Sequence, residues 1–191
     1  MIIKRTSAPA AEPVTVAEAK AHMRVDISDD DDYITALIVA AREYIEGATR
    51  RSLITQTWRY SLDDWPDGDE IVIPRPPLQS VTSIVYKDED GTATTWSSSA
   101  YIVDTDSDPG RVVLAYGESW PSVTLYPAAP IQITYTAGYG DAASAVPGHL
   151  QHAIKFLVAH WYENREPVMV GAVARDVPLA VDSLIWLYRA F

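Results

Sequence analysis

The chain has no cysteine, so neither a disulfide framework nor a thiolate zinc site can stabilise it, and nothing marks it for an oxidising compartment. No apolar run approaches the roughly 20 residues of a membrane-spanning helix. Residues 1–6 (MIIKRT) are too short for the apolar region of a signal peptide. These absences predict a soluble product of the cytoplasm with no membrane partner. Positive charge is also scarce: 15 Lys and Arg stand against 26 Asp and Glu, a formal net charge of −11. Such a chain repels phosphate at long range, and no basic stripe offsets the repulsion, which excludes a dedicated duplex reader. Catalytic signatures are missing as well. There is no G-x-S-x-G, no H-E-x-x-H and no G-x-x-x-x-G-K-[ST], and the glycines of Gly138-Tyr139-Gly140 read as turn glycines. The expectation is a non-enzyme that needs no cofactor.

What is present suffices for a folded core, since 48% of the 191 residues are hydrophobic and only 21% charged. The most emphatic element is residues 146–167, where Leu150, Ala153, Ile154, Leu157, Val158 and Trp161 recur at helical spacing between Pro147 and Pro167. Phe156 and Tyr162 widen the apolar band, so this helix is expected to touch something on two sides, one of them a neighbouring subunit. Upstream, residues 7–13 read as an extended leader, and Thr15 with Glu18 forms a capping box for a short helix, 16–24. Residues 26–32 (DISDDDD) resemble a calcium loop but lack the turn glycine and the distal glutamate, so the aspartates at 29–32 are read as caps for the next helix. That helix carries Tyr33, Ile34, Leu37, Ile38, Ala41, Tyr44, Ile45 and Ala48 on one stripe, with Arg42, Glu43 and Glu46 off it. Arg50 and Arg51 at its end complement the helix dipole or grip an acidic neighbour.

At Ser52 the period changes to alternation. Residues 53–62 place Trp58, Tyr60 and Leu62 on one side, and further strands are expected at 70–73, 80–86, 100–104, 111–115 and 131–136. Short strands at this spacing predict an antiparallel sheet or small barrel, with Pro74, Pro76 and Pro77 confined to an edge or crossing loop. The long connection 116–130, containing Trp120 and Tyr126, reads as a contact arm. Residues 168–174 form a small-residue loop before a last helix, 179–191. The fold class is therefore α+β: about four helices from the N- and C-terminal parts, residues 14–52 and 146–191, around an inserted antiparallel β domain, 53–145.

Three chemical readings compete with a structural one. His149, His152 and His160 could converge on a metal, although capping or interface roles suit them better. The carboxylates Asp63, Asp64, Asp67, Asp69 and Glu70 could supply the acid pair of a glycoside hydrolase, but they cluster in a turn. Six tryptophans and eleven tyrosines could form a carbohydrate-binding face, as in a receptor-binding tail module, yet most occupy core positions.

Five segments taken in order, 12–23 (EPVTVAEAKAHM), 53–58 (LITQTW), 74–84 (PRPPLQSVTSI), 137–140 (AGYG) and 158–167 (VAHWYENREP), resemble the head–tail connector family of tailed bacteriophages and gene transfer particles. The resemblance implies a structural virion protein, also called an adaptor or head-completion protein. It would form a ring of about a dozen copies in the neck beneath the portal, assembled in the host cytoplasm. Its implied partners are the portal, the downstream stopper or tail-terminator proteins, and double-stranded DNA passing without sequence recognition. An acidic wall suits that passage, because DNA slides along it without counterion release. Where the family's last helix commonly ends in Pro-Tyr-Arg, this chain has Leu187-Tyr188-Arg189. Here Leu184, Ile185, Trp186, Leu187, Tyr188 and Phe191 point around most of a helix. The segment is either wedged into the helical core or, as the resemblance implies, a portal-docking segment with Arg189 pairing an acidic partner.

Overall fold

The computed structural model describes residues 1–165 and 179–189. Contacts divide the chain into two compact units, Met1–Pro9 with Thr55–Tyr139 and Ala10–Ile54 with Gly140–Phe191.

The first unit is built on β-strands, with one 3-10 turn at Ser98–Ala100. The alternation begun after Ser52 becomes β2 (Gln56–Leu62), followed by β3 (Glu70–Val72), β4 (Leu78–Lys87), β5 (Ala93–Thr95), β6 (Tyr101–Asp104), β7 (Arg111–Leu114) and β8 (Ile131–Ala137). Ahead of them, Ile2–Ser7 forms β1. Pairing is antiparallel throughout, in a five-stranded sheet ordered β1-β2-β8-β4-β5 and a three-stranded sheet ordered β3-β7-β6. Pro74, Pro76 and Pro77 sit between β3 and β4, in the crossing from one sheet to the other, where no ladder donor is needed. Trp58, Ile84, Ile133 and Tyr135 from one sheet and Ile71, Tyr101 and Val112 from the other share a single core. Gly110 is required there, because a Cβ on it would meet Leu78 Cβ at 2.5 Å.

Two strands escape the sequence pattern. β1 is an edge strand carrying Lys4, Arg5 and Thr6, and the pairing partner that orders it lies more than fifty residues away, with Lys4 opposite Arg59. β5 is three exposed residues, Ala93–Thr95, held by the hairpin with β4.

The second unit is helical: α1 (Val16–Met23), α2 (Asp31–Thr49), α3 (Gly148–Glu163) and α4 (Leu179–Ile185), the last followed by a 3-10 turn, Trp186–Tyr188. The capping box forms in full, with Thr15 Oγ1 accepting from Glu18 N at 3.2 Å and Glu18 Oε2 accepting from Thr15 N at 2.8 Å. Along α3, Leu150, Ala153, Ile154, Leu157 and Val158 are buried, as their spacing requires. α1, α2 and α4 all pack on α3, and Ile34, Ile38, Ala41 and Ile45 of α2 complete the core.

Two expectations for α2 are corrected. Asp30 occupies the N-cap position but makes no side-chain cap; its carboxylate is engaged by Tyr162 and Arg165 instead. Arg42 and Glu46, placed off the stripe by polarity, are buried at 3% and 4% exposure. They can be buried because they pair. Arg42 donates from Nε to Glu12 Oε2 at 2.8 Å and from Nη1 to Glu46 Oε2 at 2.9 Å, while Glu46 Oε1 accepts from Leu53 N. This network ties the leader and the chain leaving α2 to one helix face. Burial works against the Arg42 charge, but the two carboxylates outweigh it and raise its pKa.

Candidate docking surfaces

The C-terminal segment divides into residues that hold it and residues it presents. Val181 and Ile185 are wholly buried, one helical turn apart on the face of α4 that meets α2 and α3. The buried Arg51 donates from Nε to Tyr188 O at 2.6 Å, fixing the backbone where the helix tightens to 3-10 geometry. Tyr188 is half-buried, with its hydroxyl 3.5 Å from His149 Nδ1. Beyond these anchors Trp186 and Leu187 stand out at 62% and 77% exposure. Arg189 lies beside Trp186, its guanidinium 6.0 Å from the ring, and reaches Asp182 at 3.3 Å. Leu184 is half-buried, and Phe191 lies outside the described residues, as does the 168–174 loop. Of the proposed portal-docking set, Trp186, Leu187 and Arg189 face outward and Ile185 faces inward.

The residues assigned to subunit contacts are dispersed. Arg50 ends α2 in left-handed backbone at φ 57 with its side chain exposed, whereas Arg51 is spent internally. Tyr162 is half-buried and donates to Asp30 Oδ2 at 2.6 Å; Arg165 reaches the same oxygen at 2.9 Å while lying 4.7 Å over Tyr33 and 5.1 Å over Tyr162. The Tyr162 hydroxyl, helped by the guanidinium, holds the Asp30 carboxyl below the usual carboxylate range. Phe156 is half-buried against His22 and His152, at ring separations of 5.6 and 4.4 Å. Trp120 belongs to an aromatic cluster in the β unit, stacked on Trp65 at 5.1 Å and 5.3 Å from Trp96, with its indole donating to Gly68 O. Tyr126 is 43% exposed and borders a shallow cleft of about 370 Å³ with Asp63, Trp65 and Val123.

Several of the groups named for the competing chemistries are engaged elsewhere. Trp65, Trp96 and Trp120 pack against one another, Trp65 stacked on Trp120 and Trp96 tilted against both. Asp63 is engaged by the N-terminal ammonium and Ala129 N, and Glu70 by Arg111. Asp64 accepts from Trp65 N within its own turn. The three histidines have separate neighbours: His149 meets Tyr188, His152 meets His22 and Phe156, and His160 O accepts from Asn164 at the end of α3. Among the described residues no group of three or more His, Asp or Glu is placed to hold a metal ion.

Sequence reasoning missed the Asp30–Tyr162–Arg165 clamp, whose members are 132 and 135 residues apart. It also missed the Arg42 network. The available signal was Arg42 and Glu46 at i, i+4, a spacing that lets a pair neutralise itself.

A family described as head completion protein matches residues 12–172. No curated protein matches the chain. Among solved structures, a chain of the neck of an empty gene transfer agent particle, computed with C6 symmetry, is 28% identical with a TM-score of 0.82, covering 100% of this chain and 96% of that one. A chain of the native gene transfer agent virion is 27% identical at a TM-score of 0.81, with the same coverage. A chain of the native neck, computed with C12 symmetry, is 30% identical at a TM-score of 0.76, again over 100% and 96%. The match runs through both units without a break, and on that ground the chain belongs to the head completion protein family.

Proposed function

We propose that this protein is a structural, non-catalytic subunit of a virion neck. It is a head–tail connector that forms a ring beneath the portal, extends the DNA channel and offers the platform for tail attachment. The observation that carries the reading is the end-to-end likeness to chains of C6 and C12 neck assemblies. The ring would hold about twelve copies, closed by head-to-tail contacts that use two different patches on each subunit. Two features of the chain support it: the helical unit presents an anchored apolar tip, and a net charge of −11 lets DNA pass without adhering. Trp186 and Leu187 are the portal-docking pair, with Arg189 at their rim, and the helical unit is the connector core into which residues 55–139 of the β unit are inserted.

Co-sedimentation with purified portal rings tests the docking. The unaltered chain is expected to sediment with portal, and Trp186→Ala/Leu187→Ala to lose at least about tenfold in affinity, as loss of a central aromatic anchor does. Equal binding by both would overturn the assignment of the tip.

A further inference from the structure

The outer face of the five-stranded sheet has an unusual composition for so acidic a protein. Cross-strand register aligns Lys4, Arg59, Thr134 and Ser83 in one row across β1, β2, β8 and β4. A second row runs Ile2, Ser61, Gln132, Val85 and Thr95, and a third runs Ser7, Thr57, Thr136 and Ser80. The alternate residues Trp58, Tyr60, Ile133, Tyr135 and Ile84 are those in the core, so these rows point the other way. The chain holds 26 Asp and Glu, yet none lies in the three rows. The only charges are Lys4 and Arg59, set directly opposite each other. Among the described residues neither pairs with a carboxylate. Like charges facing across a strand pair destabilise it, and an anion brought from outside would relieve that cost.

We infer that this carboxylate-free face is a contact surface between copies of the chain, seated against an acidic surface of the neighbouring copy. The inference rests on the connector reading. In a closed ring each copy must touch two neighbours of charge −11, and like-charge juxtaposition at an interface opposes assembly. A face made mostly of hydroxyls, with one amide and two cations that meet no carboxylate among the described residues, is the complement such a neighbour requires. DNA is the weaker fit, because two cations release few counterions and a duplex binder gains its affinity from many.

The test places the photoreactive residue benzoylphenylalanine at Thr134, the centre of the face, with Ser83 as a second site, in particles assembled with the substituted chain. The absence of cysteine allows a thiol-specific crosslinker at the same positions as a check. Irradiation and mass spectrometry are expected to join the site to a carboxylate-rich segment of a second copy. In parallel, Lys4→Glu/Arg59→Glu should reduce incorporation at least about tenfold, whereas Arg24→Glu/Lys155→Glu, with the same change in net charge and both sites on the helical unit, should not. Crosslinks to DNA, to the portal or to solvent alone in chains that have been incorporated would overturn the inference while leaving the connector reading intact. Absence of the chain from particles would count against the connector reading itself.

Discussion

Consider the removal of single side chains from the C-terminal tip. Ile185 is wholly buried where α4 meets α2 and α3, so Ile185→Ala removes apolar contacts and leaves a cavity. Such a truncation costs about 2–5 kcal/mol, a large part of the 5–15 kcal/mol that holds a typical domain folded. For a chain of this length the thermal midpoint should fall by roughly 5–15 °C. Trp186 and Leu187, at 62% and 77% exposure, have little native burial to lose. Trp186→Ala/Leu187→Ala should therefore stay within about 0.5 kcal/mol of the parent in stability. Circular dichroism melts and portal co-sedimentation on the same preparations separate the two effects: the first variant melts early, and the second melts normally but fails to bind. Deletion of residues 183–191 cannot make this distinction, because it removes Ile185 and the Tyr188 carbonyl that pairs with buried Arg51. If the double variant melts as early as Ile185→Ala, the division between anchoring and presenting residues is wrong.

Other consequences follow from the two interiors. Arg42→Ala removes the guanidinium that pairs with the buried Glu46 carboxylate and should cost about 3–5 kcal/mol in urea unfolding; a loss below about 1 kcal/mol would show that the network is replaceable. The hydroxyl of Tyr135 is buried with no hydrogen-bond partner among the described residues, and burial pushes its pKa upward. Tyr135→Phe should leave stability unchanged or raise it by up to about 1 kcal/mol, and a marked loss would reveal a hidden partner. Burial first, then the charges of His152 and Lys155, hold the His22 imidazole below its ordinary pKa. With a base depressed in the folded state, the unfolded chain binds more protons; the contribution is full above about pH 6.5 and is lost as pH falls. His22→Gln should flatten that acid limb, and an unchanged slope in denaturation between pH 5 and 7, a window spanning the ordinary histidine value, would refute the assignment.

The period change at Ser52 and its reversal near Val146 carried most of the architecture, because alternating and helical spacing are properties of neighbouring residues. Six of the eight strands among the described residues and the buried stripe of α3 are legible in that way. What local pattern could not show is decided by partners far along the chain. The strand Ile2–Ser7 carries no strand signal of its own until β2 supplies its ladder, and Asp30 looks like a cap until α3 brings Tyr162 and Arg165 beside it. The site is legible to a lesser degree. Hydrophobicity marked the C-terminal residues as a group, but their division into held and presented sets depends on where α4 packs and on the bond from Arg51 to Tyr188 O. The carboxylate-free face is likewise invisible in sequence order, since its rows are drawn from four or five separate strands.

The central claim is that this chain forms the ring between portal and tail. Electron microscopy of neck complexes assembled with portal, reconstructed without imposed symmetry, tests it most directly. The account predicts a closed ring of about twelve copies directly beneath the portal, with the helical tips turned toward it. Density for the chain at the tail tip or on the capsid face, or its absence from the neck, would contradict the account.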